Sequence, residues 1–290
     1  MKKNEFLVNF FNEKKRSFLR GFIALIILFI GITFFDSIFN KQDNYIAKVS
    51  IENIIYTDDD FSILLDDLKN DQNVKAILVD LNSPGGTIVG SQTIYNKLKS
   101  LGENVPIAVS MKEVAASGGY LISLAADRIF CYKGTITGSV GVILQTVNLN
   151  NLLEKIGLEP LIVKSGSMKS VPNPFEKVDE EKKEKIISLV DNMAEQFLNL
   201  VIQSRNLSKK EIDLISDGSV FTGAQAKEIN LVDEIGDEQD AITWLKKKAD
   251  LDDKTKVLEI KKPESFLNDI NLNTSNILKK MSGILAIWLL

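Results

Sequence analysis

The segment Val114-Ala115-Ala116-Ser117-Gly118-Gly119-Tyr120 sets a serine among small residues and directly ahead of two glycines. Small neighbours let a substrate carbonyl come close, and the backbone N–H that follows the serine can face a developing oxyanion. A serine hydroxyl is inert near neutral pH until a base takes its proton. The chain contains no histidine, so an imidazole base is excluded and the base must be a lysine or a carboxylate. A serine–lysine pair is the arrangement that runs this chemistry without imidazole. Taken alone, Ala-Ala-Ser-Gly-Gly also fits a tight turn or a close helix contact.

A second segment supports the catalytic reading. Val74 to Leu81 reads as a buried strand, Asn82-Ser83-Pro84-Gly85-Gly86 follows at once, and Ile88, Ser91, Ile94 and Leu98 then recur at helical spacing. Amides at the start of such a helix are free to bind an anionic oxygen. Two glycine-rich strand-to-helix turns about thirty residues apart suit the two halves of one oxyanion hole. The base meets a stricter demand. A free lysine titrates at about 10.4, and bringing it to about 7–8 takes about 3–4 kcal/mol of differential destabilisation of the ammonium. Desolvation against apolar neighbours supplies that, and bound apolar substrate can complete it. The chain is rich in lysine, so spacing singles out none; Lys112 is nearest and reads as a strand end. Ser-x-x-Lys occurs nowhere, which argues against the pattern of penicillin-binding proteins and class A β-lactamases.

Four segments in this order, Asn82–Gly86, Ala115–Tyr120, Thr137-Gly138-Ser139-Val140-Gly141 and Asp217-Gly218-Ser219-Val220-Phe221-Thr222-Gly223, resemble the signal peptide peptidase A (protease IV) family over roughly residues 45 to 245. The resemblance implies a nucleophile at Ser117 and a general base at Lys169, in the segment Ser165-Gly166-Ser167-Met168-Lys169. It further implies that Ser139 touches the lysine amine. Gly86, in the Gly85–Gly86 turn, would supply an oxyanion N–H beside the amide of Gly118, with Gly85 lining the same site. Ser219 departs from the family, whose members usually carry arginine there; in the sequence it lies away from the dyad motifs. The implied fold is a crotonase-like spiral of ββα units, as in caseinolytic protease P, in the short single-domain form. Short-form relatives assemble into a ring with serine and lysine contributed across a protomer interface, so the resemblance implies a homo-oligomer and an inactive monomer.

The elements that must position these groups alternate. Strands are expected at Ala47–Ile55, Val74–Leu81, Pro106–Met111, Arg128–Tyr132, Val140–Thr146 and Pro160–Lys164. Helices are expected at Phe61–Lys69, Thr87–Leu101, Gly118–Ala126 and Leu149–Ile156. Such alternation predicts an α/β domain with a largely parallel sheet, here residues 44–260. A long helix follows over Asp179–Asn206, with Ile186, Val190, Met193, Phe197 and Val201 as an apolar stripe covering the core.

Gly21 to Phe35 is an uncharged apolar run of about 22 Å as a helix, against a hydrocarbon core of about 30 Å. Phe18 and Leu19 on one side, with Arg20 snorkelling, and Ile38 and Phe39 on the other extend it to spanning length. The chain is therefore expected to carry a cytoplasmic segment at 1–20 and a transmembrane anchor at 21–39. Six basic residues ahead of the run place the N-terminus in the cytoplasm and the catalytic domain on the outer side of the inner membrane. A cleaved signal peptide is the rival reading, but no small-x-small site follows Phe35.

The remaining composition bounds the partners. A net charge of −4 speaks against nucleic acid. The single Cys131 reads as core, and with no Cys/His cluster no metal or other cofactor is expected. The tail 261–290 ends in the apolar Met281–Leu290, too short to span a bilayer. It reads as a contact with the membrane surface or another protomer, or as a substrate mimic entering the protein's own site. The function implied by the resemblance is endopeptidase cleavage of apolar peptides, remnant signal peptides above all, bound by strand addition. Two other classes fit the same fold: a crotonase-like acyl-CoA enzyme and a non-catalytic membrane scaffold.

Overall fold

Strand β1 (Tyr45–Ile55) opens a parallel ladder that continues through β2 (Val74–Gly86) and β3 (Ile107–Ala116). The computed structural model describes residues 43–261, and the chain divides into two units between Asp43 and Asn44. The anchor expected at 21–39 and the apolar tail lie outside the described residues. Among the described residues no helix is long and apolar enough to cross a membrane.

Strands β1 and β2 are each followed by a helix on a capped start. Asp58 accepts from the Phe61 amide at the start of α1 (Asp59–Asn70), and Thr87 accepts from the Gly90 amide at the start of α2 (Ile88–Gly102). Beyond β3 come α3 (Gly118–Ser123), β4 (Arg128–Cys131) and β5 (Ile136–Gly138). The first half of β3 pairs with β4 and its last residues pair with β5. After α4 (Asn150–Lys155) and the long α5 (Glu180–Ser204), the chain adds α6 (Lys209–Ile215), β6 (Val220–Thr222) and α7 (Gly223–Glu228). Strand β7 (Glu234–Ile235), α8 (Glu238–Lys248) and β8 (Lys256–Glu259) complete the described chain. The sheet runs β6-β5-β3-β2-β1-β8, with β4 paired to β3 and to β7; every pairing is parallel except β5 with β6.

A parallel sheet is stable only with both faces covered, and the strands alternate accordingly. Ala47, Val49, Ile77, Val79, Leu81, Ile107, Val109 and Met111 join the larger core, together with residues of α1, α2 and α3. Ile46, Ala76, Leu78, Ala108 and Phe130 point to the other face, where Ala241, Ile242 and Leu245 of α8 cover them. The α/β class and the largely parallel sheet are as expected.

Three expectations are corrected. Val140–Thr146 and Pro160–Lys164 form no strands: both carry β-branched residues, but no described strand pairs with them. Helix α3 stops at Ser123 rather than Ala126. Of the apolar stripe of α5, Phe197 and Val201 are buried in the core, whereas Ile186, Val190 and Met193 are only half-buried.

Candidate active site

Strand β3 ends at Ala116, and the chain reverses at Ser117 with φ 52° and ψ −122°. For a non-glycine residue this region costs about 1–3 kcal/mol and persists only where the surroundings impose it. They do so through hydrogen bonds on both sides of the turn. The Ser117 amide donates to the Gly138 carbonyl of β5 at 2.9 Å, and the Ser117 carbonyl accepts from the Leu121 amide of α3. Below the turn, the buried Thr137 hydroxyl donates to the Ala115 carbonyl at 2.6 Å. The outcome is a half-buried serine at a strand-to-helix turn, followed by a free-facing amide at Gly118, the geometry of a nucleophile elbow.

The Pro-Gly-Gly turn meets this serine in space. Gly85 has φ 110°, and a Cβ there would lie 2.9 Å from both the Gly118 nitrogen and the Ser117 Cβ, so any other residue is excluded twice over. The Gly86 nitrogen is 3.3 Å from the position a Cβ on Gly118 would take. The two amides assigned to the oxyanion from sequence are therefore neighbours. Gly86 is paired to Ile55 of β1 so closely that a Cβ would overlap the Ile55 carbonyl.

Polar side chains stitch the two turns together. The Val114 amide donates to Asn82 Oδ1 at 3.2 Å. The buried Ser83 hydroxyl donates to the Asn53 carbonyl at 2.5 Å and accepts from the Gly85 amide at 3.1 Å. Behind Gly118 lies Ser91 of α2, buried and donating to the Thr87 carbonyl; a Cβ on Gly118 would overlap its hydroxyl. Sequence reasoning gave Ser83 and Ser91 no role. Ser83 was visible inside the turn motif, whereas Ser91 showed only helical spacing.

Ser139 also sits at positive φ, 53°, directly after Gly138 at 87°, and is half-buried beside the segment that holds Ser117. Its amide donates to the Ser219 carbonyl at 2.8 Å. Ser219 is thus tied by its backbone to the site, contrary to the sequence-based expectation that it lies away from it.

Lys169 is placed differently. It lies in the turn 165–170, exposed, with its amide bonded to the Gly166 carbonyl at 3.1 Å. Among the described residues no hydrogen bond or ion pair meets its ammonium, and none joins it to Ser117 or Ser139. The structure therefore brings together Ser117, Gly118, Gly85, Gly86 and Ser139, and leaves Lys169 on the surface of a single chain.

Competing nucleophiles and bases are disposed of by their surroundings. Lys112 lies inside β3, not at its end, 3.2 Å from Asp80 and 2.7 Å from Glu238. Burial alone would lower its pKa, but the hydrogen bond to Glu238 and the Asp80 charge outweigh burial and raise it, so it stays an ammonium. Cys131 is buried as expected, and burial pushes its thiol up to about 11. Among the described residues no group of His, Cys, Asp and Glu side chains is placed to hold a metal ion.

The segment 142–178, between β5 and α5, turns apolar side chains outward. Ile143, Leu161 and Val163 are 85%, 92% and 88% exposed, and Leu152, Ile156 and Leu158 of the same segment are also exposed. Exposed apolar side chains repeated along one segment are characteristic of an interaction surface.

The sequence model of peptidase family S49 matches residues 99–252. A Synechocystis sp. protein named, by inference, as a protease is 39% identical over 203 residues, which cover 70% of this chain and 73% of that protein. An Enterococcus faecium protein named, by inference, as signal peptide peptidase SppA is 38% identical over 207 residues, covering 71% of this chain and 60% of that one. The chain thus spans about three fifths of the second relative's length. Among solved structures, a ClpP1 variant from Listeria monocytogenes superposes with a TM-score of 0.46 at 20% identity, covering 67% of this chain and 94% of its own.

Proposed function

Because this chain belongs to peptidase family S49 and is a serine-type peptidase, we propose that it cleaves apolar peptides with a Ser117–Lys169 dyad. The observation that carries the reading is the strained Ser117 turn set against the Gly85–Gly86 turn. The neutral Lys169 amine takes the Ser117 hydroxyl proton as the oxygen attacks the scissile carbonyl. The amides of Gly86 and Gly118 donate hydrogen bonds to the carbonyl oxygen as it takes on negative charge. Lys169 then gives its proton to the departing amine, and a water activated by the same lysine hydrolyses the acyl-enzyme. Ser139 orients the amine without adding charge.

Lys169 is exposed on its own chain, and the apolar segment 142–178 that carries it is uncovered. Both features fit a dyad completed between copies: a second chain covers the segment, desolvates Lys169 and presents it to the neighbour's Ser117. Desolvation is what lowers a lysine pKa into the working range. The apolar run at 21–39 would hold the catalytic domain beside the outer face of the inner membrane, where remnant signal peptides lie. The test is cleavage of a leucine- and alanine-rich peptide by the purified full chain, compared with Ser117→Ala and Lys169→Ala. Activity lost in both supports the dyad; activity that survives in either removes that residue from it.

A further inference from the structure

The apolar segment inverts the usual distribution of side chains at one place. Leu161 and Val163 point outward, yet the next residue, Lys164, turns its side chain inward and leaves only 14% of it exposed. Its ammonium is ion-paired with Glu176, itself 21% exposed, and donates to the Ser167 carbonyl at 3.4 Å. Withdrawing a lysine and a glutamate from water is costly and is repaid only by good mutual geometry, while apolar residues that could pack inside stand in solvent.

The pair closes a loop. Residues 164 and 176 bracket the whole segment Ser165-Gly166-Ser167-Met168-Lys169-Ser170, and the bonded Ser167 carbonyl belongs to the turn that carries Lys169. The base of the loop is fastened to the start of α4: the Leu149 amide donates to the Pro174 carbonyl at 2.7 Å, and Asn148 Nδ2 donates to the Glu176 carbonyl at 3.0 Å. Glu176 is held in turn by its amide on the Asn173 carbonyl at 3.2 Å. A surface turn of small residues has little of its own to fix it, and the salt bridge supplies the missing constraint.

We infer that Lys164 and Glu176 are positioning residues for the general base. Together they hold the Lys169 turn in the one conformation that can be presented to a nucleophile. This rests on the assignment of Lys169 as that base. Lys164 cannot itself be the base, because its ammonium is committed to Glu176.

The test uses the purified full chain and the leucine- and alanine-rich peptide, with Lys164→Met, Glu176→Gln, Lys164→Arg and Lys169→Ala. Misplacing a catalytic group by about 1 Å costs up to about a hundredfold in rate. Lys164→Met and Glu176→Gln are therefore expected to lose about ten- to a hundredfold in kcat with KM within about twofold. Lys164→Arg, which keeps the charge and the pairing, recovers most of the loss. Melting temperature and sedimentation are expected to match the wild type. Wild-type kcat in Lys164→Met and Glu176→Gln, with Lys169→Ala inactive, would overturn the inference and leave the base assignment standing. Loss accompanied by disassembly or a lowered melting temperature would overturn it in favour of a purely structural pair. An active Lys169→Ala would overturn the base assignment and the inference together.

Discussion

The amide of Ser117 donates to the carbonyl of Gly138 at 2.9 Å, so the residue before Ser139 holds the Ser117 turn. Both serines sit at positive φ, 52° and 53°. Strand β5 thereby fixes Ser117 from one side while the Gly85–Gly86 turn fixes it from the other. The strain of the site is imposed by backbone pairing and does not depend on a bound substrate.

The Thr137 hydroxyl supports that pairing from within the core. Thr137→Val keeps the shape and removes its hydrogen bond to the Ala115 carbonyl. The expected cost is about 1–3 kcal/mol of stability, read from the midpoint of urea denaturation. A midpoint equal to the wild type would mean that this bond does not hold β3 to β5.

Gly86→Ala places a Cβ on the Ile55 carbonyl, and β1 and β2 must part at the oxyanion turn. Removing one oxyanion donor costs about a hundred- to a thousandfold in kcat, and a loss of at least that size is expected in peptide cleavage. Retained kcat would exclude the Gly86 amide from the site.

Lys48, Asp80, Lys112 and Glu238 form a four-membered charge network where β1, β2 and β3 pass under the start of α8. Burial alone would raise the Glu238 pKa; the hydrogen bonds from Lys112 and Lys48 outweigh it and hold the carboxyl below its ordinary value. Burial would likewise lower Lys48, but the Glu238 and Asp80 contacts raise it. A lowered carboxyl stabilises the fold above its unfolded value of about 4.3 and ceases to do so as pH falls through the folded value. The raised lysines stabilise below about 10.4 and cease to do so as pH rises through their folded values. Glu238→Gln is therefore expected to be less stable than the wild type near neutrality. The difference should narrow below about pH 4, followed by urea denaturation across the pH range. A gap that stays constant in acid would contradict the assignment.

The outward apolar side chains of the 142–178 segment give a prediction about assembly. Leu161→Asp combined with Val163→Asp charges the most exposed part of that face. The variant is expected to keep its circular dichroism spectrum, to sediment as a smaller species and to lose cleavage. Wild-type sedimentation would mean that another surface joins the copies.

The reach of the sequence follows from what each element depends on. β1, β2, β3, α1 and α2 were legible because continuous apolar runs alternate with amphipathic periods between clear caps such as Asp58 and Thr87. Val140–Thr146 and Pro160–Lys164 carry the same β-branched character, but strand formation needs a partner edge that a sequence does not display. β6 and β7, of three and two residues, are too short to show any period. Ser117 stood out because its neighbours are chemically unusual and histidine is absent. Lys169 did not, since one lysine among many carries no spacing signal and only the family motif marks it. Its exposure could not be read at all, because burial of a turn depends on what packs against it, which a sequence does not display.

Mixing the two inactive variants tests the central claim most directly. Purified Ser117→Ala and Lys169→Ala chains are combined under conditions that allow exchange of copies, and cleavage of the leucine- and alanine-rich peptide is followed. A dyad shared between chains predicts that activity reappears, because an intact Ser117 then meets an intact Lys169 across the interface. A mixture that exchanges copies and stays inactive would contradict it and place both residues of each dyad in one chain.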